Sequence, residues 1–412
     1  MSKINLSNGG GDKQTKIKKQ TVALVHDFLL YYGGAERVLK QLREIYPEAP
    51  IYTLLENEEN KELVNDFGDN RKTVKKPSKF SHKFEDLPPF TQRAVRTSFL
   101  QKFPKFLRKK HRWLIPLMPT AVETFDLRDY NIVISSSSAF AKGVVVKSRV
   151  KHICYMHAPM RYVWDWNREY LEENKLKGKI KFFTRLFLNY LRMWDRISAE
   201  RPDYLIANSH YTAERIKKYY RREAKVIYPP VEVERYTPTQ TNAGYFLTVG
   251  RLVPYKRTKL LIQVFQKLNL PLVIVGDGPE KKKLQQIIGN DKNIKLLGWL
   301  PDDKKIKIFE QARAFVVATE DDFNITAVEA MAAGKPVIAL NKGGTAETVL
   351  EGETGEFFKV ATMEMIADAI GRFKENEEKY DYLKIRKRAE EFKTKIFRKN
   401  MEKFMEEVIS DN

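Results

Sequence analysis

AFVVATEDDFNITAVEAMAAGKPVIAL, Ala314 to Leu340, holds the pattern that decides the fold. An apolar run of strand length, AFVVATE, opens into an acidic loop, EDDFN. A helix rich in Ala and Met begins at Ile325, Gly-Lys-Pro stops it, and a second apolar run, PVIAL, follows. Strand, polar turn, helix, strand is the signature of a parallel α/β sheet. The stretch also sets Asp321 and Glu329 about two helical turns apart, on one cleft-facing side.

The alternation extends in both directions. Upstream in the same half lie YFLTVGRL, a helix from about Thr258, LPLVIVGDG and IKLLGWL. In the first half, TVALVHDFL precedes Tyr-Tyr-Gly-Gly-Ala-Glu and a helical pattern of Val38, Leu39, Leu42 and Ile45. IYTLLE, NIVISSSS, HICYMH and YLIANS repeat the theme. Between the halves, YPPVEVERYTPTQTNAGY carries three prolines and few periodic apolar positions, which is linker composition. Beyond the second series a charged helical pattern runs from about Met363 to Ile409. The reading is α/β, two Rossmann-like domains: a disordered basic tail over 1–20, a first domain over 21–229, a linker over 230–242 and a second domain over 243–390.

Composition agrees with two cores: 412 residues, 42% hydrophobic, exceed what one ordinary core holds. Lys+Arg number 74 against 53 Asp+Glu, a net charge of +21, which favours nucleotide phosphates, anionic lipid heads or nucleic acid without choosing among them. Cys154 is the single cysteine, so no intrachain disulfide forms, as suits a reducing, cytoplasmic setting. No apolar run reaches membrane-spanning length, and MSKINLSNGGGDKQTKIKKQ lacks the apolar core of a secretory signal.

Five motifs carry chemistry. In HDFLLYYGGAER, Gly33 and Gly34 sit between a strand and a helix N-terminus. They are either an anion site or a tight turn using glycine's φ freedom. The G-x-G-x-x-G spacing of nicotinamide binding is absent. In GRLVPYKR, Arg251 and Lys256 follow a strand end and suit a diphosphate, the Arg as a planar fork and the Lys as a point charge. In GDGPEKKKL, Gly278 either lets a ligand approach the backbone or belongs to a β-turn before a helix. In EDDFN and its helix, Asp321 and Glu329 suit a hydroxyl-rich ligand, since a carboxylate accepts from a vicinal diol through both oxygens. Metal binding ranks below this, because no DxD triplet and no histidine accompany the acids. In HICYMHAPMRYVWDW, His157 stands just past a strand, where an imidazole reaches a hydroxyl or phosphate or serves only the fold. Arg161 and Trp164 either contact an acceptor or anchor a loop.

Taken in order, HDFLLYYGGAERVL, RTSFLQKFPKFLRKKHRWLIPLMP, YNIVISSSSAFAKGV, YMHAPMRYVWDW, IANSHYTAERI, VIYPPVEVERY, GRLVPYKR, VIVGDGPE, TEDDFNITAVEAMAAGKPVIAL and GGTAETV make the chain resemble the retaining glycosyltransferases of family 4, near their bacterial mannosyltransferase-like members. The resemblance runs from about Val22 to Phe358. It implies a GT-B fold with an interdomain cleft, and a C-terminal helix, 391–412, packing back toward the first domain. It implies sugar transfer with retention from a nucleotide diphosphate sugar, with GDP-mannose the first choice, no catalytic metal and no other cofactor.

By the same resemblance Arg251 and Lys256 hold the donor diphosphate, and Glu329, second acid of an E-x7-E motif, holds the ribose. Asp321 takes the first acid position on donor-sugar hydroxyls, with Phe323, Asn324 and Ile325 beside it and Gly278 also at the donor. His157 stands near the reaction centre, Gly33 and Gly34 face diphosphate and acceptor, and Arg161 and Trp164 touch the acceptor. Two departures stand out: Asp for the usual Glu at 321, and Asn for the usual Gly at 324. Asn tolerates left-handed geometry better than most residues. These departures keep open a non-catalytic partner that only binds sugar nucleotides.

Two stretches interleave cations with aromatics. One runs from Arg71 to Arg112, with Phe90, Phe99, Phe103 and Phe106, and Trp113 just beyond it; the other is KLKGKIKFFTRLFLNYLRMW, Lys175 to Trp194. In the second, Ile180, Phe183, Phe187, Tyr190 and Met193 recur at helical steps. That is either a basic amphipathic helix on an anionic membrane or a core face with solvated lysines. A glycan or lipid-linked acceptor at the inner face of the cell membrane fits either stretch. A nucleic-acid partner fits the charge but leaves the ordered motifs unexplained, and none is expected.

Overall fold

The computed structural model of the chain describes residues 21–60, 63, 66–67, 95–167 and 178–410. The N-terminal tail, Phe90 and the 71–94 part of the first basic stretch, and Lys175 to Lys177 lie outside the described residues.

The described chain divides into two compact units: the described residues from 21 to 208, 213–227 and 398–410 in one, and 209–212 and 228–397 in the other. In the first, β1 (Val22–Leu29), β2 (Ile51–Glu56), β3 (Val95–Thr97), β4 (Ile132–Ser137), β5 (Lys151–Met156), β6 (Tyr204–Ala207) and β7 (Lys225–Val226) form a sheet in the order β3-β2-β1-β4-β5-β6-β7. All its pairings are parallel. Ala23, Leu24 and Val25 of β1 are wholly buried, which is why the run reads as continuous rather than alternating.

The second unit builds its sheet from β8 (Phe246–Val249), β9 (Leu272–Val275), β10 (Ile294–Gly298), β11 (Ala314–Val317), β12 (Val337–Leu340) and β13 (Gly355–Phe358), in the order β10-β9-β8-β11-β12-β13. Both sheets are therefore doubly wound, with the strand order reversing between β1 and β4 and again between β8 and β11.

Three strands escape the sequence reading: β3, β7 and β13, of three, two and four residues. β3 and β7 are too short to leave a periodicity to count, whereas β13, GEFF, is as long as β8 but has Gly355 and Glu356 in place of a continuous apolar run. The 230–242 segment is packed: Val231, Val233 and Tyr236 are buried in the second core, and the buried Lys335 donates through Nζ to the Thr239 and Thr241 carbonyls. The alternating apolar residues of VEVERY drive that burial, which its prolines mask in sequence. The last helix, Thr394–Ser410, contributes residues 398–410 to the first unit, where Arg398 donates to Gln41 at 2.6 Å and pairs with Glu44.

The helix Gly178–Ser198 divides cleanly. Leu188, Leu191, Asp195 and Ser198 are buried, and Phe187 and Trp194 pack against the first core. Ile180, Phe182, Phe183, Leu186, Tyr190, Met193 and Ile197 are exposed by more than half. Of the five residues read as one stripe, only Phe187 joins the core. The reading of this stripe as core is thereby corrected.

Candidate active site

Doubly wound sheets bind ligands outside the carboxyl ends of the strands that flank the reversal. In the second unit those strands are β8 and β11, and the loops leaving them wall a recess. Its lining includes Thr248, Gly250, Arg251, Lys256, Thr319 and Asn324. The loop after β8 closes in a 3-10 turn, Pro254–Lys256, and Arg257 follows with φ 54° before the helix Thr258–Leu268. Arg257 holds that costly left-handed conformation while its Nη1 donates to the Ala318 carbonyl at 3.3 Å, tying the β8 loop to the β11 loop.

The two acids of the opening stretch separate. Asp321 is buried, and its Oδ2 lies 2.5 Å from Lys256 Nζ and accepts from Asn324 Nδ2 at 3.1 Å. Glu329, 1% exposed, is buried in the helix Ile325–Ala332 and is not among the residues lining the recess. Phe323 turns its ring into the core against Tyr228 and Phe392, so only its backbone remains for a ligand. Ile325 opens the helix, partly exposed.

Asn324 keeps the turn that glycine would give, at φ 67°. Its Oδ1 accepts from the Ala327 N–H at 3.1 Å and from the Thr326 hydroxyl at 2.7 Å, capping the helix. Asn324→Ala removes the cap and forces a Cβ-bearing residue without a local hydrogen bond into left-handed backbone, an expected loss of about 2–3 kcal/mol. Asn324→Gly is expected to cost only a few tenths of a kcal/mol. Urea titrations of both variants check the difference; equal losses would refute the capping account.

Gly278 has a packing role. A Cβ there would meet the Leu252 carbonyl oxygen at 2.3 Å, and the Leu252 N–H donates to the Asp277 carbonyl at 2.9 Å. Its bare Cα is filled by the β8 loop, which favours the turn over a ligand approach. Thr319, absent from the sequence-derived candidates, is 1% exposed, and its Oγ1 has no hydrogen-bond partner among the described residues. This hydroxyl therefore brings unused hydrogen-bonding capacity to the recess wall.

The first unit gathers a different set at its own reversal. His157, just past β5, bonds through Nε2 to Ser136 Oγ at 2.7 Å. Ser136 Oγ lies 3.0 Å from His26 Nδ1, and His26 Nε2 lies 3.4 Å from Glu36 Oε1. The other Glu36 oxygen accepts the Gly33 N–H at 2.9 Å. Burial first, then the neighbouring His26, pushes His157 down to about 3, so its imidazole is neutral. Asp27 accepts four backbone N–H bonds, from Ser138, Ala139, Phe140 and Ala141, at 2.5–2.9 Å.

Gly33 sits at φ −149°, extended backbone open to any residue, and neither Gly33 nor Gly34 has positive φ. The reading of this turn as needing glycine's φ freedom is therefore corrected. A Cβ on Gly33 would stand 3.2 Å from Glu36 Oε2, so the bare position serves the Glu36 cap. Trp164 takes the anchoring one of its two roles. Its Nε1 donates to buried Asp195 at 2.7 Å, and its ring stacks on Tyr219 at 4.7 Å. The Arg161 carbonyl accepts from Trp164 and Trp166, closing the same turn.

The recess thus collects Arg251, Lys256 and Asn324 with Asp321 paired to the lysine, while Gly33 and His157 join through His26, Ser136 and Glu36 in the other unit. The signal that would have found His26, Asp27 and Ser136 is their place at the ends of β1 and β4, the strands flanking the reversal.

Residues 233–390 match the family model described as glycosyl transferases group 1, and residues 79–235 match that of glycosyltransferase family 4. An uncharacterized glycosyltransferase of Methanocaldococcus jannaschii is 29% identical over 232 residues, 54% of this chain and 60% of the relative. An α-1,3/1,6-mannosyltransferase, ALG2 of Dictyostelium discoideum, is 23% identical over 229 residues, 44% of this chain and 54% of the relative. The matches thus span about half to three fifths of these curated relatives' length. HepE of Anabaena, solved with UDP-glucose, superposes with a TM-score of 0.66 at 19% identity, covering 93% of this chain and 99% of that one, a likeness of fold. With the two family models together spanning residues 79–390, and two doubly wound sheets of the GT-B kind, the chain belongs to the glycosyltransferases of family 4.

Proposed function

We propose that the chain transfers a sugar, with retention at the anomeric carbon, from a nucleotide diphosphate donor to a glycan or lipid-linked acceptor. The observation that carries this reading is the recess at the β8/β11 reversal, with Arg251 and Lys256 on the β8 loop and Asp321 held against the lysine. Departure of a nucleoside diphosphate builds negative charge on phosphate, and fixed cations in a partly enclosed site stabilise that charge more than water does. The leaving phosphate accepts the acceptor's proton on the same face. No second carboxylate nucleophile and no metal are then required, unlike the paired carboxylates of retaining hydrolases.

GDP-mannose is the first donor to try, in keeping with the mannosyltransferase among the relatives. A thermal-shift panel of nucleotide sugars tests the reading, since a donor at a hundred times its dissociation constant adds about 2.7 kcal/mol. Stabilisation by one nucleotide diphosphate sugar and not by the free sugar is expected. A panel in which none stabilises the protein would overturn the reading. Release of labelled sugar to an acceptor then separates a transferase from a non-catalytic partner.

The acceptor side rests on the helix Gly178–Ser198. Its exposed apolar face is flanked by Lys179, Lys181, Arg185, Arg192 and Arg196, and its one acid, Asp195, is buried against Lys142. No helix among the described residues is long and apolar enough to cross a membrane. A basic helix with Phe and Ile outward suits the interface of an anionic bilayer, where a lipid-linked acceptor resides. Flotation with anionic vesicles is expected to lose more than about tenfold in bound fraction when Ile180 and Phe183 are both replaced by Glu. Equal binding to neutral vesicles, or no effect of the replacement, would count against it.

A further inference from the structure

Glu36, His26, Ser136 and His157 form one continuous line of side chains, with steps of 3.4, 3.0 and 2.7 Å. His26 is 3% exposed and Ser136 wholly buried, so the hydrogens along this line are confined to the partners within it. Ser136 has a single hydroxyl hydrogen and lies between two ring nitrogens, His26 Nδ1 and His157 Nε2. It donates to one and accepts from the other. The Glu36 carboxylate, an acceptor at both oxygens, calls for a hydrogen on His26 Nε2 and also takes the Gly33 N–H.

Two hydrogen patterns satisfy these constraints. When His26 Nδ1 is bare, Ser136 donates to it and accepts from His157 Nε2–H, and a neutral His157 then has a bare Nδ1. When His26 carries hydrogens on both nitrogens, it donates to Ser136, which donates to a bare His157 Nε2, and a neutral His157 then carries its hydrogen on Nδ1. We infer that Ser136 couples the two histidines one to one: His26 Nδ1 and His157 Nδ1 are both protonated or both bare.

The coupling gives His157 a selectable role. Its Nδ1 accepts from a hydroxyl in the first pattern and donates to a phosphate or carbonyl oxygen in the second. Glu36, His26 and Ser136 are positioning residues, acting through His157. The charged and titratable groups on this line are Glu36 on the helix Gly34–Ile45, His26 on β1 and His157 after β5. Asp27, next in sequence, spends its carboxylate on the four amides after β4. Only the identity of the ligand at His157, a sugar hydroxyl or a phosphate, rests on the proposed transferase reading; the coupling itself does not.

The test reads ring nitrogens directly, without turnover. The full chain, 15N-labelled at its six histidines, is observed by long-range 1H–15N correlation, with His26→Gln and His157→Gln giving the assignments. At any one pH the two Nδ1 atoms of the unsubstituted protein are expected to be alike, both protonated or both bare. In Ser136→Ala the pairing is expected to break, with His157 changing tautomer population while His26 keeps its own. A bare His26 Nδ1 beside a protonated His157 Nδ1 in the unsubstituted protein would overturn the inference. So would a Ser136→Ala variant that folds and leaves both rings unchanged. The unsubstituted measurement stands alone if that variant fails to fold. Failure of the donor panel with the pairing intact would instead fault only the transferase reading.

Discussion

Lys256→Ala is expected to lower kcat by about a hundred- to a thousandfold, the loss seen when one fixed group facing developing charge is removed. The lysine is a point charge on the loop after β8, and Asp321 Oδ2 lies 2.5 Å from its Nζ. On the proposed reading, a diphosphate entering the recess competes with Asp321 for the same ammonium. This competition makes a second, opposite expectation. Asp321→Asn removes the competitor, so free nucleoside diphosphate binds more tightly while transfer from the whole donor slows. Titration calorimetry with the nucleoside diphosphate alone, beside turnover with the intact sugar nucleotide, separates the two effects. A Lys256→Ala enzyme within tenfold of the parent, or an Asp321→Asn protein that binds the diphosphate more weakly, would rule out this division of roles.

Gly276→Ala is expected to unfold the second unit outright, at a cost above about 4 kcal/mol. Gly276 closes β9 at φ 145°, backbone that a residue with a Cβ does not hold, and its N–H donates to the Gly298 carbonyl at 2.8 Å. A Cβ there would stand 1.9 Å from the Gly250 carbonyl oxygen. Relief requires the Gly250 strand end to move, and that strand end is a wall of the recess. Gly371→Ala is the control, because nothing lies within 4 Å of a Cβ at that position, within the helix Met363–Asn376. Urea unfolding by circular dichroism compares the two; similar midpoints would refute the packing argument.

The long apolar runs made the fold legible. Each of TVALVHDFL, NIVISSSS, HICYMH, LPLVIVGDG and AFVVATE became a strand, because burial on both sheet faces leaves no polar alternation to confuse the reading. Of the strands that were missed, β3 and β7 are shorter than the pattern needed to see them, and β13, GEFF, lacks a continuous apolar run. At the site, Arg251 and Lys256 were legible from their place after a strand. Asp321 was legible as an acid, but not as the lysine's partner, since that pairing joins loops 65 residues apart. His26, Ser136 and Glu36 were quoted within motifs yet not singled out. Their meaning lies in contacts across β1, β4 and the first helix, which no single motif contains. Gly33 and Gly278 were each read two ways, as a ligand's approach or as a turn, and the structure shows neighbours that a Cβ at either position would meet.

One consequence follows from the carboxylates of the first unit. A doubly wound sheet offers its seat for a phosphate where backbone amides open at the strand reversal. Here the chain sits in that seat itself: Asp27 fills the four amides after β4, and Glu36 takes the amide after β1. Two look-alike halves are thereby made unequal from within. In one half two carboxylates sit on backbone amides, and in the other a carboxylate, Asp321, sits on the side-chain ammonium of Lys256. The difference is carried by two side chains of the first unit, Asp27 and Glu36.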